Sequence, residues 1–112
     1  MDYKEVEKSK AFVNTDLIGY EPDSVVCRTI IKKPAGNISI LSFDAGKGLT
    51  EKISPFDTLA LIIDGKAEIV IDGTSNLLET GQSIIIPAHT PIIVKANERF
   101  KMISTIIKSG YE

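Results

Sequence analysis

The chain has no tryptophan, one cysteine and one histidine in its 112 residues. A single cysteine, Cys27, excludes an intramolecular disulfide, and its neighbours Val25 and Thr29 make it read as a small apolar residue on a strand. A single histidine, His89, leaves any transition-metal site to be completed by carboxylates. Excess positive charge is also missing, since 13 Lys and Arg face 15 Asp and Glu for a net charge of −2. No basic stripe is present to track phosphates, and Arg28, Lys32 and Lys33 read as ordinary solvated residues. No apolar run approaches the roughly 18 residues that span a bilayer. The start of the chain, MDYKEVEKSK, lacks the apolar core of a signal peptide. These absences predict a cytoplasmic protein with neither nucleic acid nor membrane as a partner. Helical periodicity is missing too, beyond the first residues, which sets helical architectures aside.

What is present is strand and turn. Residues 1–23 read as an N-terminal arm. Its first ten residues form a frayed tail or a short helix with Glu5 and Lys8 one turn apart, and Phe12, Val13 and Leu17 need a cover. Residues 24–32 and 37–44 are rich in Val, Ile, Thr and Ser and alternate as strands, separated by a turn at Pro34. Two apolar runs, 58–63 and 67–71, flank Asp64-Gly65, a dipeptide favoured in tight hairpins, which predicts a reversal there. Asp72-Gly73 ends the second run, Pro87 stops residues 83–86, and 99–108 is the last strand, with Met102 and Ser104 on one face. The sum is one all-β domain of roughly eight to ten strands, with turns every 8 to 12 residues as in a sandwich or barrel. Residues 58–63 are apolar on both faces, which calls for a second cover and predicts a homodimer.

The quoted residues GLTEKISPFDTLALIIDGKAEIVIDG and LETGQSIIIPAHTPIIVKANERFKMISTIIKS resemble the small conserved-barrel, RmlC-like members of the cupin family. Gly81, five residues and Pro87 match the opening of the second cupin motif, and the first motif ends at Gly65. The resemblance covers about residues 24–109 and implies a double-stranded β-helix, a jelly-roll barrel, over residues 24–112, with residues 1–23 as an arm of the kind that small cupins exchange between the subunits of a dimer.

Cupins typically hold a divalent metal with two His and one Glu of the first motif and one His of the second. Counted on this chain, the Glu slot falls at Thr58, the first-motif His slots near Thr50 and Lys52, and the second-motif His slot at Ile92. The Asn slot of the second motif is Ala96, and His89 stands in that motif's glycine slot. The departures imply a cupin with no metal and no other cofactor. His89 reads as a turn residue at the barrel rim, between Pro87 and Pro91. Strict alternation would aim Thr50 and Lys52 inward and Glu51 away. Lys52 then either carries its charge to the barrel mouth with its stem along the wall, or serves as an anion hook or a nucleophile.

The expected pocket therefore comprises Thr50, Lys52, Thr58, His89, Ile92 and Met102. The favoured reading is a metal-free barrel that binds a small molecule, an anion being one candidate, or serves a sensing or structural role. The alternative is a metal-independent isomerase or lyase using Lys52 or His89, and a third is a pure interaction module with a filled barrel. Fold alone assigns no reaction.

Overall fold

Val, Ile and Thr fill the segments that become strands in the computed structural model, which describes residues 5–109. The order is β1 (Val25–Lys33), β2 (Gly36–Phe43), β3 (Gly48–Ile53), β4 (Thr58–Ile71), β5 (Thr74–Glu79), β6 (Ser83–Ile86), β7 (Pro91–Lys95) and β8 (Phe100–Ile107), preceded by a short 3-10 helix at Asn14–Leu17. All pairings are antiparallel. β1, β2, β8, the first half of β4 and β6 form one layer, and β3, β7, the second half of β4 and β5 form the other. The result is the all-β jelly-roll barrel that the resemblance implies.

The reversal expected at Asp64-Gly65 does not form. β4 runs straight through it for 14 residues, pairing with β6 and β8 before Gly65 and with β5 and β7 after it. Gly65 has φ 86°, and the register against β8 shifts between Ile62 and Asp64. The dipeptide thus makes a bulge that bends one strand from the first layer into the second. Close packing also demands glycine here, because a Cβ would collide with the Arg99 carbonyl and the Phe100 side chain. The two-residue hairpin is Asp72-Gly73, where φ is 47° and 81° and Ile71 pairs with Thr74. Both residues take the left-handed conformation that the primed turns need.

Cross-strand registers stack the inward side chains in rows. Val25, Phe43, Phe100 and Gly65 share one row, Cys27, Leu41, Met102 and Ile62 the next, and Ser39, Ser104 and Ala60 a third. In the first row Phe43 and Phe100, both fully buried, stack with centroids 4.5 Å apart and planes 12° from parallel. This stack fills one end of the barrel, where Gly65 leaves room for the ring.

The outer face of the first layer carries a second apolar cluster around Ile30 and Ile40, roofed by Ile18, Leu17 and Val6 of the same chain's arm. Hydrogen bonds fasten the arm along its length. The Val6 amide donates to the Ile30 carbonyl (3.0 Å), the Lys32 amide to Glu5 Oε2 (2.6 Å), Arg28 Nη1 to the Leu17 carbonyl (2.9 Å) and Lys101 Nζ to the Thr15 carbonyl (2.8 Å). Residues 5 and 6 therefore lie along the edge of β1, and the helical alternative does not form over residues 5–10; residues 1–4 lie outside the described part. At the arm's end Tyr20 donates to Asp64 Oδ2 at 2.7 Å, and the Arg99 guanidinium sits 4.2 Å from the centre of its ring. Phe12 and Val13 remain exposed. No helix among the described residues is long and apolar enough to cross a membrane.

Candidate functional site

A cavity of about 290 Å³ opens at the end of the barrel opposite the phenylalanine stack. Its floor is Leu41, Val94 and Met102, and its walls include Leu49, Ile86, Ile92 and Ile106. Lys52, Ile53 and Thr90 stand at the mouth, with hydroxyls of Ser39, Ser54, Thr58 and Ser104 around the surface. Met102 and Val94 are buried, whereas Lys52 is exposed. The depth is apolar and the charge is at the entrance.

Four of the six expected residues, Lys52, Thr58, Ile92 and Met102, line this cavity. Strand parity and bulges decide the outcome. Leu49 faces Val94 and Lys52 faces Ile92, so the two residues between them on β3 oppose the single Ile93 on β7. That extra residue returns Lys52 to the inward face but turns Thr50 out of the cavity, onto a surface depression with Lys47, Lys95 and Asn97. The inward residue ahead of the bulge is Leu49, which offers no donor atom. Alternation alone, as applied to the sequence, cannot register such a bulge.

His89 is exposed at the rim and does not line the cavity, although Pro87 and Thr90 beside it do. Its φ is 60°, the conformation in which a glycine is the unstrained choice, which explains why the family's motif has glycine at this slot. Its backbone amide donates to the Ser54 carbonyl at 2.7 Å, and the Ala88 amide donates to Asp57 Oδ1 at 2.8 Å. These two bonds tie the turn ahead of β7 to the loop ahead of β4 and so frame the mouth. Ala96, in the motif's Asn slot, is buried in the core, its amide donating to the Lys47 carbonyl at 2.9 Å.

Sequence reasoning missed Cys27, Ser39 and Ser104. Ser104 lies two residues along β8 from Met102, and Ser39 is its cross-strand partner. Following the Met102 face along the strand would have found both. Cys27 is exposed at the cavity and sits beside Leu41.

The donors present do not fit the divalent metal that cupins usually hold. Lys52 brings a cation, Ile92 no lone pair and Thr58 a weak neutral oxygen where imidazoles and a carboxylate would be needed. Among the described residues no three His, Cys, Asp or Glu side chains gather in one place.

No protein-family model matches the chain, and no curated protein is significantly similar to it. Solved structures are. A conserved protein of unknown function from Streptococcus pyogenes is 31% identical, with a TM-score of 0.89 over 98% of this chain and 97% of that one. A cupin superfamily protein from Desulfitobacterium hafniense is 25% identical, with a TM-score of 0.88 over 97% of this chain and all of that one. A cupin 2 conserved barrel domain protein from Leptotrichia buccalis is 29% identical over 84% of this chain, which spans 46% of that longer one, with a TM-score of 0.81. A salicylate 1,2-dioxygenase from Pseudaminobacter salicylatoxidans shares the fold at 16% identity and a TM-score of 0.70. Two relatives matched end to end, together with the barrel, the motif glycines and three of the four motif slots lining one cavity, make this chain a member of the cupin superfamily, similar to its conserved-barrel proteins.

Proposed function

We propose that the protein is a metal-independent cupin that binds a small molecule in the open end of its barrel. The observation that carries this reading is the meeting of Lys52, Thr58 and Ile92 around one apolar cavity, the slots where relatives of this fold usually keep metal ligands. An enclosed apolar pocket with a few polar groups is the usual form of a ligand site in a β-barrel. Lys52 supplies an attachment point for an anionic group. The enzymatic alternative has less support: His89 does not line the cavity, and Lys52, which does, has no carboxylate among the described residues beside it there to serve as a base. A thermal-shift screen of small carboxylates, sugars and phosphates, run with and without chelator, tests the proposal. A ligand that raises Tm by about 2 °C or more, equally in both conditions, supports it. Stabilisation that requires an added divalent metal contradicts it.

We also propose a homodimer through the outer face of the first layer. Leu59 and Ile85 are cross-strand neighbours there and remain 42% and 68% exposed, and Val13 adds to the same side at 62%. Burying such side chains contributes roughly 1.5–3 kcal/mol each against the entropy of association. Sedimentation at micromolar concentration should give a dimer that Ile85→Glu dissociates; a monomeric native chain would defeat this proposal.

A further inference from the structure

The cavity's own chemistry narrows the class of ligand, on the reading above that it is a small-molecule site. We infer that it takes a small monocarboxylic acid with an apolar body, hydrocarbon inward and carboxylate at the Lys52 ammonium.

Charge comes first. Of the described residues around the cavity, Lys52 alone carries a charge, and neither Asp nor Glu lines it. No carboxylate among the described residues lies within ion-pairing distance of Lys52. A cationic ligand would therefore meet repulsion without a counter-charge. A dianion would find one partner for two charges and would bring the second against an apolar wall, where desolvation is not repaid.

The wall decides the rest of the molecule. Leu41, Ile92, Val94 and Met102 form a surface with few donors or acceptors below the mouth. A sugar would have to strip water from several hydroxyls there with few hydrogen bonds in return. An alkyl or aryl group loses nothing in the same place and gains burial. The Ser39 and Ser104 hydroxyls accommodate at most a substituent or two: Ser39 is already near Asn37, whose Nδ2 lies 3.5 Å from its Oγ. Size sets the upper bound. A cavity of about 290 Å³ equals the liquid volume of roughly ten water molecules. That suits an acid of about ten non-hydrogen atoms or fewer.

Because Lys52 is exposed, its attraction is screened and distinguishes ligands only moderately, on the order of two- to fivefold. The test is an NMR titration of the full chain, following backbone amides with four probes at constant ionic strength: hexanoate, hexan-1-ol, inorganic phosphate and glucose. Hexanoate should shift the amides of Leu41, Ile92 and Met102 and bind roughly two- to fivefold more tightly than hexan-1-ol. Phosphate and glucose should leave those amides in place. In Lys52→Met and Lys52→Gln the advantage of the acid should vanish while hexan-1-ol binds as before, and the spectra themselves report whether each variant is folded. Equal binding of alcohol and acid in the native chain, or cavity shifts caused by glucose or phosphate instead, would overturn the acid while leaving a small-molecule site standing. If none of the four probes moves a cavity amide, the inference and the site reading fall together.

Discussion

Lys52 and Ile92 are cross-strand neighbours in the β3–β7 pair, facing the same cavity from adjacent strands. Two slots drawn from two separate motifs thus lie about 5 Å apart at Cβ, as in any directly opposed antiparallel pair. That proximity makes a metal site one that substitution can build at these slots. Ile92→His alone should bind zinc no better than the native chain, because its imidazole would stand opposite an ammonium. Lys52→His with Ile92→His and Thr58→Glu should gain at least about tenfold in zinc affinity over the single variant, measured by calorimetric titration. Equal affinity for both would mean that these slots do not converge as described.

His89→Gly should leave the protein folded and raise its stability by up to about 1 kcal/mol. The gain comes from relieving a left-handed backbone that a side chain tolerates poorly, less the extra entropy of an unfolded glycine. Chemical denaturation measures it. A loss of more than about 1 kcal/mol would show that the imidazole itself holds the rim.

The closed end of the barrel should be the less forgiving. Phe100→Ala removes one ring of the buried stack and should cost about 3–5 kcal/mol. Gly65→Ala adds a single methyl group, yet it should cost at least about 2 kcal/mol, since it meets the Arg99 carbonyl at a positive φ. Urea unfolding of both variants checks this, and a Gly65→Ala protein as stable as the native chain would contradict the placement of the bulge.

Ionisable groups pin the arm at each end and give it opposite pH limits. Burial, its hydrogen bond to Asp64 and that carboxylate's charge hold the Tyr20 hydroxyl well above its ordinary value of 10.0. A raised folded value means that the contribution is complete below about pH 10 and is lost as pH rises through the folded value. The Lys32 amide, aided by the Lys33 ammonium, holds Glu5 below its ordinary 4.5. Its contribution is present above that pH and is lost as pH falls through the lowered value. Tyr20→Phe should cost about 0.5–1.5 kcal/mol at neutral pH and flatten the alkaline decline. Glu5→Gln should flatten the acid decline. Stability measured by denaturant titration across pH separates them, and parallel curves for the native chain and both variants would refute the assignment.

Much of the barrel was legible because turn residues marked its strands. Pro34, Asp72-Gly73 and Pro87 each fall where a strand stops, and the expected limits of the first two strands and the last lie within a residue of β1, β2 and β8. The same residue chemistry misled at Asp64-Gly65. A positive-φ glycine serves a reversal or a bulge equally well, and only the partners on either side of Gly65 distinguish them. At the site, counting within motifs brought Lys52, Thr58 and Ile92 to the cavity, because the motif spacings already contain the strand register. Thr50 was misplaced by the bulge in β3, whose extra residue leaves no mark on the hydrophobic pattern. Ser39 and Ser104 went unnoticed although the Met102 face, followed along β8 and across to β2, leads to both, because serine by itself carries no sign of what it faces.

A cavity that works without a metal ion is tested most directly by elemental analysis of native protein prepared without chelator or polyhistidine tag. The expected result is well under about a tenth of an equivalent of zinc, iron, manganese or nickel per chain, since the converging groups are an ammonium, a hydroxyl and a hydrocarbon. Close to one equivalent of any of them, lost on His89→Ala, would contradict it and show that the chain has moved its metal centre to the rim.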